Sequence, residues 1–66
     1  MRFNELQKGK IYTDKDGVSA FRFEGMYNDQ LAEFCECEYD EEKGEYIVID
    51  SSFVHLFNKF EISDLI

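Results

Sequence analysis

Three residues are of the types that hold soft metals or act as nucleophiles: Cys35, Cys37 and the single histidine, His55. A structural zinc site takes four ligands and usually has two or more residues between its paired cysteines. One intervening residue and one histidine therefore point to reduced, buried thiols and an ordinary imidazole. On a strand the two cysteines share a face about 6.6–6.8 Å apart, too far for Cβ atoms that a disulfide needs near 3.8 Å. Asp50, Ser51 and Ser52 lie close to His55 in the chain, but no nucleophile elbow or oxyanion loop accompanies them. Asp14-Lys15-Asp16-Gly17 begins like a calcium loop and lacks the glutamate that would complete one. Glycine-rich phosphate motifs are missing as well. We expect no enzymatic activity, no metal and no cofactor.

The carboxylates carry more information. Fifteen acids against seven bases give a net charge of −8. Residues 1–32 hold five of each, whereas residues 33–50 hold eight acids against Lys43 alone. A surplus gathered in one segment predicts a localised acidic surface. It argues against direct binding of nucleic acid, where Lys and Arg must neutralise phosphates.

The elements that would position these acids are read from the glycines. Gly17 and Gly44 each close a polar cluster between runs rich in β-branched and aromatic residues, the pattern of a hairpin. Three-residue loops at 15–17 and 42–44, each ending on a left-handed glycine, pair Asp14 with Val18 and Glu41 with Glu45. Ile11 then falls opposite Phe21. In the second hairpin Tyr39, Ile47, Cys37 and Ile49 form an inner face, leaving Glu36, Glu38, Asp40, Tyr46, Val48 and Asp50 outside. A slip by one residue would set Glu36 and Glu38 against Ile47 and Ile49. Phe34 stands out of phase with Cys35 and Cys37, which suggests a bulge there. Ser51 or Ser52 caps one short helical turn at residues 52–57, and Phe60 and Ile62 belong to a last strand. The competing reading is a single amphipathic helix from residue 52, because Phe53, Leu56, Phe57 and Phe60 recur at helical spacing.

Sixty-six residues form one small domain, residues 1–66, with a thin core and a folded surface of about 4,400 Å². Such a core leaves little volume for a substrate pocket. The expected fold class is all-β: a small four- to five-stranded antiparallel meander, whose edges are best hidden by curling into a barrel. The order of long hairpins, helical turn and last strand resembles SH3-like and Tudor-like barrels over roughly residues 9–65. No apolar run is long enough to span a membrane, and no secretory segment is visible, so a cytoplasmic location is expected.

Glu36, Glu38, Asp40, Glu41, Glu42, Glu45 and Asp50 around Tyr46 and Val48 are the candidate partner-binding residues. An apolar centre rimmed by charge is the anatomy of a protein-binding patch. In size and charge the chain is similar to small acidic inhibitors, often phage-encoded, that occupy nucleic-acid sites as DNA mimics. That resemblance implies an interaction module or inhibitor docking on a basic, nucleic-acid-binding protein. The alternative is an adaptor that binds a cationic peptide between exposed tyrosines, with Tyr12, Tyr27 or Tyr46 as walls. A monomer or weak homodimer is expected, the latter through an uncovered edge of the last strand near Lys59 and Glu61.

Overall fold

The computed structural model describes residues 2–65. Five strands, β1 (Ile11–Thr13), β2 (Ala20–Met26), β3 (Ala32–Asp40), β4 (Glu45–Val48) and β5 (His55–Phe57), form one antiparallel sheet. A 3-10 turn at Phe3–Glu5 precedes them and a short helix, α1 (Lys59–Ile62), follows. The central strand is β3, with β2 along one side and β4 and β5 sharing the other. Ile49 donates to the Glu36 carbonyl at 3.0 Å while Phe34 pairs with His55. β4 and β5 are thus one edge strand interrupted by an excursion at residues 50–54. The Asp50 carboxylate closes that excursion, accepting from the Ser52 N–H at 3.0 Å and its hydroxyl at 2.6 Å.

Alternation along β3 gives the sheet two faces. Phe34 meets Phe23 across the ladder, and Tyr12 meets Phe21. Phe34 is fully buried, as is Ile62 of α1, which packs into the same cluster with Leu65, Phe3 and Leu6. Rings at 5.0–6.4 Å, several edge to face, fill the space between them. Each large apolar side chain buried here contributes about 1.5–3 kcal/mol. Tyr12 keeps its hydroxyl satisfied inside, accepting from the Gln7 N–H at 2.9 Å.

Three expectations need correcting. Both hairpins close with four-residue loops, at residues 15–18 and 41–44, so both registers are shifted by one. The cause is an aspartate at each loop entrance. The Asp14 carboxylate accepts from Val18 and Ser19, and that of Asp40 from Glu42 and Lys43, so each residue ends its strand by capping the turn. The helical turn expected at residues 52–57 is not there: residues 55–57 are strand, and the helix comes after them over Lys59–Ile62, where Phe60 and Ile62 were expected in a last strand with a free edge. Asn58 places the helix, accepting from the Phe60 and Glu61 N–H groups at 3.0 Å while Glu61 reaches back to the Asn58 N–H. The register shift sits on β2 between Phe23 and Gly25 instead of at Phe34; both faces of β3 are buried at this level, Phe34 on one and Cys35 on the other.

The sheet is open. A single bridge between Asp14 and Leu65 ties its β1 side to the C-terminal segment, and the strands do not close into a barrel.

Candidate protein-interaction site

Even-numbered positions of β3 read Ala32, Phe34, Glu36, Glu38, Asp40, and all of them share one face. The first two are core and the last three are acidic. The change comes where the cover supplied by α1 and the N-terminal turn stops. Beyond it, Glu36, Glu38 and Asp40 stand opposite Ile49, Ile47 and Glu45. The slip that the pattern argued against is the arrangement found. Mixing carboxylates with isoleucines costs little here, because Ile47 and Ile49 are 38% and 55% exposed and belong to no core.

The row Glu36, Glu38, Asp40 is independent of register, since a slip moves only the partner strand. Glu45 stays with it, and Glu41 and Glu42 lie exposed on the loop. Tyr46 and Val48 leave it: they stand opposite Tyr39 and Cys37 on the other face. Tyr46 remains 40% exposed and packs edge to face on Tyr39 at 5.2 Å. Asp50 turns into the excursion, where the Ser52 hydroxyl and N–H hold its carboxyl below the usual range.

Sequence reasoning missed three members of this surface. Ile47 and Ile49 supply the apolar centre assigned to Tyr46 and Val48. Phe53, 61% exposed on the excursion, lies edge to face on His55 at 5.0 Å. The signal available for Phe53 was the Asp50-x-Ser52 turn, which ends β4 and pushes the next residues out of the ladder. His55 itself stands among Phe21, Phe53 and Phe57. Its Nε2 has no hydrogen-bond partner and lies 3.8 Å from a Glu36 carboxylate oxygen.

Chemistry elsewhere is limited. Burial pushes the Cys35 and Cys37 thiols up, away from reactive thiolate. Arg22 hydrogen-bonds Glu24, which raises the guanidinium and lowers the carboxyl. Among the described residues no three His, Cys, Asp or Glu side chains gather as metal ligands. No helix among them is long and apolar enough to cross a membrane. An open cleft of about 410 Å³ between Phe3, Asp29, Gln30, Asn58, Lys59 and Phe60 is larger than the thin core suggested. Its Asn58 side chain is already occupied as the cap of α1. Compared with known proteins, the chain matches no family model, no curated protein and no solved structure.

Proposed function

We propose that this protein is a non-enzymatic interaction module or inhibitor whose acidic hairpin docks on a basic, nucleic-acid-binding surface of a partner protein. The observation that carries the reading is one face on which Glu36, Glu38, Asp40 and Glu45 surround exposed Ile47 and Ile49. Carboxylates on alternate residues sit about 6.6–6.8 Å apart along β3, a row of the same sign as a phosphate backbone and about half its density. The isoleucines add the apolar centre that gives such a contact residence time.

The test is affinity capture of partners from lysate on the wild-type chain and on Glu36→Lys/Glu38→Lys/Asp40→Lys, at about 50 mM and about 300 mM salt. Wild type should retain nucleic-acid-binding proteins that salt and added DNA or RNA release, and the variant should retain none of them. Retained proteins that bind no nucleic acid, or that survive both washes, end the proposal.

A second reading, the peptide-binding adaptor, is favoured by the Tyr39–Tyr46 pair, two exposed rings packed edge to face whose outer faces are open to a cation. Tyr12 drops out of it because that ring is buried. The Asp14–Leu65 bridge supports an SH3-like relationship, with the sheet left open where such a barrel would close.

A further inference from the structure

We infer that the part of the basic partner reaching this hairpin is an extended segment, added as a sixth strand along the free edge of β4; the inference rests on the reading just given. The Ile49 N–H donates to Glu36, so residues 36 and 49 form a hydrogen-bonded pair, and alternation makes 38/47 and 40/45 the others. Tyr46 and Val48 sit in the intervening pairs. Their N–H and C=O groups therefore point away from β3, and no described strand pairs with them.

Short length, charged side chains, Pro, a bulge or a covering segment usually guard a sheet edge, and β4 has only its four-residue length and Glu45. Glu45-Tyr46-Ile47-Val48 has no Lys or Pro and an unbroken register, with apolar side chains exposed on both faces. A second copy of the chain is a poor occupant, because it would bring two segments of net charge −7, residues 33–50 of each copy, within one strand spacing. A basic segment is the complementary one. In it, alternate residues lie on the face of Ile47 and Ile49, about 10 Å from β3. A Lys or Arg side chain and a Glu side chain together bridge that span. The intervening residues fall beside Tyr46 and Val48 and should be apolar. The occupant is thus an extended peptide alternating Lys or Arg with Val, Ile or Leu.

The experiment uses two synthetic octapeptides of equal charge, one alternating Lys with Val and one alternating Lys with Pro. In the second, the residues that would face Tyr46 and Val48 have no N–H to donate. Titration should show binding of the Lys-Val peptide and at least about tenfold weaker binding of the Lys-Pro peptide. Amide exchange at Tyr46 and Val48 should slow when the Lys-Val peptide saturates the protein. Val48→Pro removes one outward donor without breaking a bond to β3, and should weaken that peptide by about tenfold while the thermal transition persists. If the variant fails to fold, the exchange measurement on wild type decides alone. Equal binding of both peptides, or unchanged exchange at Tyr46 and Val48, overturns strand addition and leaves docking by charge standing. Binding of neither overturns strand addition, and the capture experiment then decides docking by charge on its own.

Discussion

The half of the sheet that lies under α1 and the N-terminal turn and the half that carries β4 are made of similar residues and put to different use. In the first, Tyr12, Phe23, Phe34, Ile62 and Leu65 are withdrawn from water. In the second, Tyr39, Tyr46, Ile47 and Ile49 are all exposed, although they are as apolar and as β-prone. β3 runs through both and changes from Phe34 to Glu36 at the boundary. The difference teaches that folding is driven by one half of the molecule. The hairpin beyond it is held by its ladder and its aspartate-capped loop, so its side chains are free to be chosen for contact with something else.

The largest test of that division is Phe34→Ala. Truncating a fully buried phenylalanine costs about 3–5 kcal/mol, as much as the whole stability of about 3–5 kcal/mol expected for a domain this small. Circular dichroism should show no cooperative melt at 25 °C, and a near-normal transition would mean that the core lies elsewhere. Asn58→Ala should cost about 1 kcal/mol, because two N–H groups of α1 lose their acceptor. At this length that lowers the melting temperature by about 4–8 °C. Ile47→Ser, on the uncovered half, should change stability by no more than about 0.5 kcal/mol. A loss above about 1 kcal/mol in chemical denaturation would reveal packing on that half and erase the distinction.

The antiparallel, hairpin-built character of the sheet was legible from Gly17, Gly44 and the β-branched and aromatic runs around them. The acidic row was legible too, because residues 36, 38 and 40 share a face whatever stands opposite. The register was misread in both hairpins for one reason: Val18 and Glu41 were counted as pairing positions, whereas the Asp14 and Asp40 carboxylates cap four-residue turns that take both into the loop. At the second hairpin the appeal to an inner face had little force, since of Tyr39, Ile47, Cys37 and Ile49 only Cys37 is buried, and it lies on the other face from the two isoleucines. The helix was also misplaced, although Asn58-x-x-Glu61 is a capping signature visible in the sequence. The apolar spacing of residues 53–60 drew attention away from it.

Charge segregation, the turn positions and the strand class came from the chain alone, because they depend on neighbours within a few residues. Which apolar residues became core and which stayed in water was settled only when Ile62 and Leu65 returned over one end of the sheet. Burial is a property of what arrives from far along the chain, and alternation in a strand is silent about where that cover ends.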